Sequence, residues 1–514
     1  MPDVSTVGTV LRRQRQRGAH PLLVCDDRRI SYADADRQSA LLAKGLLAQG
    51  VGKGTHVGLW YPNGTEFVVA LLAAARIGAV VVPFSTFLTA AELRRQLAGS
   101  DVAVLLATPS YRSHDYVYRI TEALGPGHDF STPTALFLEA APSLRHVVFD
   151  TDWLSTHGAA VDQPFLAAVE DDVDGADTLA IIYTSGSTGV PKGAVHTQAA
   201  MLGHQHNLNE IRGFTAEDRL FCTSPFFWEG GFAFGLLATL VAGATLICSN
   251  ATDAGDTLDL IEAEKPTLTN GFAAAITHLT RHPSFAGRDL SALRRGNLYP
   301  IMAPDARPAD PGLRHNMLGM TEAGSVVLIS GDHSDQPESR RGSYGRPAPG
   351  FDTKVLETGE LCIRGPYVMQ GYYGRSRAEC FDADGWFHTG DLVRIDDDGF
   401  FHFLARAGSM IKTAGANVTP TEVEAALSKV LRDHGEVSVH VIGLPDPERG
   451  QIVVAVIGLD AGHEFDEAAV RRELRSEISA FKVPRRFAVC RPADIPLLSS
   501  GKVDTAGLTK MFDV

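Results

Sequence analysis

The sequence predicts an α/β protein, with a large N-terminal domain of mostly parallel sheets covered by helices, a small β-rich subdomain, and a small α+β C-terminal domain. Three observations carry that prediction. Short apolar runs alternate with helical patterns up to about residue 180, as in a parallel sheet covered on both faces. From about residue 350, short strands follow one another between Gly and Asp turns. Beyond Arg406 a capped helix opens a compact unit of roughly 100 residues, enough to fold as its own domain. At 514 residues the chain exceeds what one core usually supports, so two or three domains are expected.

The elements follow in order. Tyr32 to Leu47 has a helical apolar face, His56-Val-Gly-Leu-Trp60 reads as a strand, and Phe67 to Ala75 as a second helix. Ala79-Val-Val-Val-Pro83 and Val102-Ala-Val-Leu-Leu106 are further strands. Leu179-Ala-Ile-Ile182 is a short buried strand, and Thr197 to Leu208 a helix whose N-terminus is expected near any bound phosphate. Phe232 to Cys248 is the longest apolar stretch. It falls short of the about 20 residues a membrane span needs, and Gly235 and Gly243 punctuate it, so it reads as a buried helix followed by a strand. Thr353 to Leu356, Gly359 to Arg364 and Gly399 to Leu404 are the short strands of the β-rich subdomain, about 345–405. Thr419-Pro-Thr-Glu422 then marks a helix start, with Thr as N-cap, Pro in the first turn and Glu completing a capping box. Val423, Ala426, Leu427, Val430 and Leu431 share one face of that helix, and Val470, Leu474, Ile478 and Phe481 one face of a later one. Val437 to Ile442, Ile452 to Leu459 and Phe487 to Cys490 are the intervening strands.

Composition narrows the function classes. Lys+Arg 47 against Asp+Glu 61 leaves a net charge of −14, which argues against nucleic acid as a partner. The six cysteines are scattered without a C-x-x-C pair. They read as reduced thiols in a cytoplasmic protein, with no disulfide framework or zinc site. Arg12, Arg13, Arg15 and Arg17 have no apolar stretch behind them, so no signal peptide is evident.

The chemistry begins at Tyr183-Thr-Ser-Gly-Ser-Thr-Gly-Val-Pro-Lys-Gly193. Glycines let backbone N–H groups approach a phosphate, the hydroxyls of Thr184, Ser185, Ser187 and Thr188 add donors, and Lys192 adds charge. No Gly-x-x-x-x-Gly-Lys-[Ser/Thr] spacing fits, so it is not a Walker loop. The loop resembles the phosphate loop of the adenylate-forming superfamily, which comprises acyl- and aryl-CoA synthetases, luciferases and peptide-synthetase adenylation domains. Further segments in the family's order extend the resemblance over nearly the whole chain: Gly319-Met-Thr-Glu322, Gly345-Arg-Pro-Ala-Pro-Gly350, Gly359 to Pro366, Trp386-Phe-His-Thr-Gly-Asp391, Arg406 and Pro496-Leu-Leu-Ser-Ser-Gly-Lys502.

The resemblance implies a site residue by residue. Thr184, Ser185, Gly186, Ser187, Thr188, Gly189 and Lys192 bind the pyrophosphate side of ATP. Ala303 and Pro304 lie on the adenine side, with Gly319 and Met320 beside them. The Thr321 hydroxyl contacts phosphate, and Glu322 helps hold Mg²⁺, which needs only one or two carboxylates besides phosphate oxygens. Asp391 and Arg406 contact the ribose. Lys502 neutralises charge as a carboxylate attacks the α-phosphate. Gly408 is the hinge, at 406–408, between the large domain 1–405 and a mobile small domain 409–514. The expected cofactors are ATP, Mg²⁺ and coenzyme A, and the expected product is an acyl-adenylate captured as a thioester.

Three departures qualify this. Gly408 stands where the family commonly has Asp or Lys, leaving a hinge free to rotate but without a side chain to steady it. The adenine-side segment, often Gly-Gly-Ala-Pro, reads Ile301-Met-Ala-Pro304. Trp228, in Pro225-Phe-Phe-Trp228, sits where His is frequent, so it either gates the acid pocket or simply packs. Glu229 beside it either faces solvent or meets an amine or hydroxyl of the substrate, since a carboxylate in an apolar pocket needs a partner. Phe227, Trp228, Phe232, Gly271, Phe272, Met317 and Met320 are the other pocket candidates, and their apolar character suits a fatty or aryl acid. Another acceptor (a carrier-protein phosphopantetheine arm in trans, an amine, or nitrite activation for diazotisation) is the alternative expectation. Whether the protein is a monomer or a dimer is left open by the sequence.

Overall fold

The computed structural model describes residues 5–130, 133–184, 191–271, 276–406, 411–413, 416–418, 420–432, 437–447, 449–459, 465–478, 480–498 and 501–512. The chain divides into two compact units, Met1–Asp352 with Arg364–Phe387, and Thr353–Ile363 with His388–Val514.

Two six-stranded sheets build the first unit. One runs Lys192–Thr197, Thr178–Thr184, Val80–Pro83, His56–Trp60, Val104–Ala107, His146–Val148 in spatial order. It is parallel throughout except for the antiparallel pair formed by its first two strands. Its central strands are continuous Val/Leu runs with no exposed position, as expected for strands covered on both faces. The other sheet runs Arg295–Gly296, Leu268–Asn270, Arg219–Cys222, Thr245–Cys248, Pro21–Cys25, Arg28–Ser31. Here the N-terminal strand Pro21–Cys25 lies parallel to Thr245–Cys248, with Leu23 opposite Leu246 and Cys25 opposite Cys248. Helix Thr65–Arg76 is buried along most of its length and shares one core with residues of both sheets, among them Leu59, Val81, Leu23 and Leu246. Its last residue, Arg76, is itself buried. Nε donates to Glu170 at 2.7 Å, Nη2 to Asp36 at 3.0 Å, and Nη1 to the Ser39 hydroxyl at 2.8 Å. Taking a guanidinium out of water is tolerable only with that degree of pairing.

The Phe232-to-Cys248 stretch is helix then strand, as its punctuation predicts. Phe232–Leu237 winds as a π-helix, Ala238–Ala242 as α-helix, Gly243 turns left-handed at φ 77°, and Thr245–Cys248 is the strand. One expectation is overturned. Helix Gln198–Arg212, capped by the Thr197 hydroxyl, does not begin at the phosphate loop. A six-residue strand, Lys192–Thr197, intervenes and runs back along Thr178–Thr184, pairing Thr197 with Thr178. The helix therefore starts at the opposite end of that ladder, roughly 20 Å of strand away. Thr184 and Lys192 face each other at one end of the ladder, and the helix follows from the other end.

The second unit carries a four-stranded sheet, Asp352–Val355, Glu360–Arg364, Phe387–Ile395, Phe401–Arg406. It also carries a five-stranded sheet in which Gly450–Gly458 pairs antiparallel with Ser438–Asp446 and parallel with Arg486–Cys490. Helices Pro420–Val430 and Glu467–Glu477 cover the latter, burying Val423, Leu427, Leu431, Val470 and Leu474 in one cluster. The expected N-cap Thr419 lies outside the described residues. Phe481 departs from its expected place: the second helix ends at Glu477, and Phe481 beyond it is 46% exposed. Helical spacing overextended the face because no cap signal closes the helix before it. Among the described residues no helix is long and apolar enough to cross a membrane, and all six cysteines are free, four of them buried.

Candidate active site

Both ends of the Gly/Ser/Thr segment are pinned. Thr184 ends its strand directly opposite Lys192, the first residue of the returning one. Ser185, Gly186, Ser187, Thr188 and Gly189 lie outside the described residues. Gly193 leaves no room for a side chain, since a Cβ there would meet Ile181 Cγ2 at 2.6 Å. The Lys192 ammonium stands 5.1 Å from the centre of the Tyr372 ring, a cation–π distance.

Tyr372 connects that lysine to a second element. Its hydroxyl donates to Glu322 Oε1 at 2.8 Å. Glu322 is buried in the short 3-10 turn Thr321–Ala323, which follows the strand Leu318–Met320 and closes at Gly324 in the left-handed conformation, φ 61°. Gly319 is exposed and Met320 half-buried on that strand. From the other side His196 Nε2–H donates to the Thr321 carbonyl at 2.7 Å. Burial pushes the His196 imidazole down to about 4, so it is neutral and holds this tautomer. Lys192, Thr321 and Glu322, far apart in sequence, are thus gathered through Tyr372 and His196 within one unit. Ala303 is buried, its N–H donating to the Leu293 carbonyl at 2.8 Å, and Pro304 opens a 3-10 turn.

The acid-pocket candidates divide. Phe227 and Trp228 pack edge-on at 5.6 Å, and Phe87, 47% exposed, covers both at 5.8 and 6.2 Å. Asn63 fixes this segment, donating to the Ser224 carbonyl at 3.1 Å and accepting from the Phe226 N–H at 2.7 Å. Glu229 follows, buried, and neither carboxylate oxygen has a hydrogen-bond partner among the described residues. Burial pushes its carboxyl well above the usual carboxylate range, and the like charge of Glu322 adds to the effect. The expectation that Glu229 faces solvent therefore falls away. Phe232 is fully buried, edge-to-face with Phe67 inside the main core. Gly271 sits at φ 156°, where a Cβ would meet Thr223 Oγ1 at 2.0 Å, and Asn297 bonds both its N–H and its carbonyl. Met317 is half-buried, and Phe272 lies outside the described residues.

In the second unit Asp391 and Arg406 are direct partners across the antiparallel ladder of Phe387–Ile395 and Phe401–Arg406. Asp391 is buried, and its N–H donates to the Thr389 hydroxyl at 3.0 Å, which in turn donates to the Leu361 carbonyl at 2.7 Å. Lys502 is exposed on a hairpin closed by a bridge between Leu497 and Val503 and by the Leu498 N–H donating to the Lys502 carbonyl at 2.7 Å. Gly408 lies outside the described residues.

Tyr372, His196, Asn63 and Phe87 are the residues that sequence reasoning missed. Gly371-Tyr-Tyr-Gly374 offered an aromatic pair between glycines, but nothing in it announced a carboxylate partner fifty positions earlier. A cleft of about 650 Å³ lined by Arg12, Arg37, Lys44 and Glu170 shares no residue with the site, and Arg12, Arg37 and Glu170 are in ion pairs there.

Lys192 beside a Thr-Glu turn in the first unit, and a cross-strand Asp/Arg pair in the second, stand on the α/β fold of the adenylate-forming enzymes. The family model of the AMP-binding enzymes matches residues 10–373, and that of their C-terminal domain matches 422–502. The chain belongs to the AMP-binding enzyme family and is an AMP-forming ligase. A feruloyl-CoA synthase of Amycolatopsis sp is 33% identical over 94% of this chain and 94% of its own. An indoleacetate–CoA ligase of Aromatoleum aromaticum is 31% identical over 93% and 92%. The solved o-succinylbenzoate CoA synthetase of Bacillus subtilis, in complex with its acyl-adenylate, shares the fold with a TM-score of 0.75, at 23% identity and 96% coverage of both chains.

Proposed function

We propose that this chain activates a fatty or aryl carboxylic acid with ATP, releasing pyrophosphate, and passes the acyl group from the adenylate to coenzyme A with release of AMP. The observation that carries the reading is the convergence of Lys192, Thr321 and Glu322 through Tyr372 and His196, in a chain of this family. The protein's contribution is positioning and electrostatics, as in phosphoryl transfer generally. Thr184 through Gly189 and Lys192 hold the β- and γ-phosphates, and Lys192 is kept aimed by the Tyr372 face. The Thr321 hydroxyl contacts phosphate. Ala303, Pro304, Gly319 and Met320 border the adenine, while Asp391 and Arg406 take the ribose. Lys502 offsets charge as the carboxylate attacks the α-phosphate, and Gly408 in the 406–408 hinge supplies backbone freedom between domains 1–405 and 409–514.

Glu322 is the Mg²⁺ ligand in this reading. Tyr372 occupies one of its oxygens and fixes the carboxylate, leaving the other for a hard cation carried on phosphate oxygens. Among the described residues no group of three or more His, Cys, Asp or Glu could hold a metal, and an ion that arrives with ATP needs one carboxylate. When bound, it neutralises phosphate charge. The protein acts in the cytoplasm on a free small-molecule acid, as monomer or dimer.

Incubation with ATP, coenzyme A and a panel of fatty and aryl acids tests this, with AMP and pyrophosphate formed in step with the thioester. No turnover across the panel would refute it. Trp228, where relatives often carry His, favours a second reading in which the acceptor is a carrier-protein arm in trans, an amine or nitrite. Acid-dependent pyrophosphate exchange without consumption of coenzyme A would select that reading.

A further inference from the structure

Glu229 is held in place by backbone. The Trp228 N–H donates to the Pro225 carbonyl at 3.1 Å, and the Phe232 N–H to the Trp228 carbonyl at 2.8 Å. Two residues on, Gly231 has no room for a Cβ, which would meet the Pro225 carbonyl oxygen at 2.1 Å. The segment then enters the π-helix Phe232–Leu237, a winding that recurs at functional sites. The carboxylate so fixed is 92% buried, since only 8% of the residue is exposed, and both oxygens lack a hydrogen-bond partner among the described residues. Phe227 and Trp228 precede it in sequence, with Phe87 over them, and the charge that acts on it is the like-signed Glu322. Glu170 shows what a structural acid looks like in this protein: equally buried, it accepts from Arg76 at 2.7 Å. Thr223 Oγ1, against Gly271, is another buried oxygen without a partner among the described residues. A buried carboxyl with both oxygens unsatisfied is costly, and a ligand without a donor would leave it so.

Resting on the ligase reading above, we infer that Glu229 is the specificity-determining residue of the acid pocket, accepting a hydrogen bond from an N–H or O–H on the substrate remote from its carboxylate. The acid is therefore an amino- or hydroxyl-bearing one, not a plain hydrocarbon chain or ring. A site built to hydrogen-bond such a group discriminates sharply against the analogue lacking it, because its own polar group is then left unpaired.

The test uses the purified full chain and acid-dependent ATP–pyrophosphate exchange, with matched acids differing in one group: amino- and hydroxybenzoates against methylbenzoates, and ω-amino- and ω-hydroxyalkanoates against alkanoates. The wild type is expected to prefer a donor-bearing acid over its methyl counterpart by about tenfold or more in kcat/KM, and the amino and hydroxyl arms identify which donor is meant. Glu229→Leu is expected to abolish or invert that preference, acting on KM for the acid and leaving KM for ATP unchanged. Glu229→Gln, near-isosteric, is expected to favour hydroxyl over ammonium acids. A wild type that prefers the methyl acids, or a preference that survives in Glu229→Leu, would overturn the inference while leaving the ligase reading standing. Exchange with no acid of any kind would overturn both. Should the variants fail to fold, the wild-type ranking of the matched pairs decides alone.

Discussion

Replacing Tyr372 by Phe removes one oxygen and tests how the nucleotide site is held together. The Tyr372 hydroxyl donates to Glu322 Oε1 at 2.8 Å, and Glu322 is only 8% exposed. Hydrogen bonds to a charged group are worth about 1.5–3 kcal/mol, and more is lost when the acceptor stays buried. The ring, and with it the cation–π contact to Lys192 at 5.1 Å, remains. If Glu322 must be held to receive the metal–nucleotide complex, that energy appears in kcat/KM for MgATP. At about 1.4 kcal/mol per decade it amounts to a loss of roughly 10- to 100-fold. Pyrophosphate exchange at saturating acid and varied MgATP reads it directly. Tyr373→Phe is the control, because its hydroxyl donates at 2.7 Å to the solvent-accessible Asp101. Exposed pairs of this kind contribute little, so less than about twofold is expected. Wild-type MgATP dependence in Tyr372→Phe, or an equal loss in Tyr373→Phe, would refute the reasoning.

Lys502→Ala is expected to slow adenylation by about 10²- to 10³-fold and to spare thiol capture from a preformed adenylate, and loss of both half-reactions together would remove the assigned role. Arg76→Ala leaves Glu170 buried beside the remaining Arg12 contact at 3.5 Å, and a cost of about 3–5 kcal/mol should show in urea denaturation; an unchanged midpoint would contradict it. Acid should unfold the first unit through two histidines, since burial lowers His196 to about 4 and His204 to about 3 from 6.5. Because their folded values are depressed, the stability held by the neutral rings is complete above about pH 6.5. It is lost as pH falls through those values, by about 1.4 kcal/mol per pH unit for each group. His204→Gln, which keeps a donor for the Val326 carbonyl, should flatten the urea-midpoint-against-pH curve by one proton, and an unaltered slope would exclude His204.

Much of this was legible in the chain. His56–Trp60 was readable to the residue as a strand, and helix Tyr32–Ala48 to within one from its apolar face, with the structure adding the Ser31 cap. Motif order assigned Asp391 and Arg406 each to the ribose without pairing them, and the structure adds that they are register partners. Other features were not legible, for physical reasons. A hairpin and a strand-to-helix crossover begin with the same apolar run and turn, so the position of helix Gln198–Arg212 depended on the six-residue strand before it. The hydrogen bond from Tyr372 to Glu322 spans fifty residues, and no local pattern encodes a contact made by tertiary packing. The orphaned carboxylate of Glu229 is likewise a property of its surroundings, invisible until burial is known.

The placement of Pro21–Cys25 has a consequence for how the protein is made. This strand lies inside its sheet, with Thr245–Cys248 on one side and Arg28–Ser31 on the other. Its principal partner leaves the ribosome about 220 residues later. At about 5–20 residues per second the delay is roughly 10–45 s. Throughout that interval Leu22, Leu23 and Val24, all fully buried in the finished protein, have the Arg28–Ser31 strand and early core residues such as Leu11, Leu46 and Leu71 beside them, but lack the strand that completes their sheet. One edge of Pro21–Cys25 therefore stays unpaired until residue 248 has emerged, and slower translation of the intervening segment would lengthen the exposure of that edge.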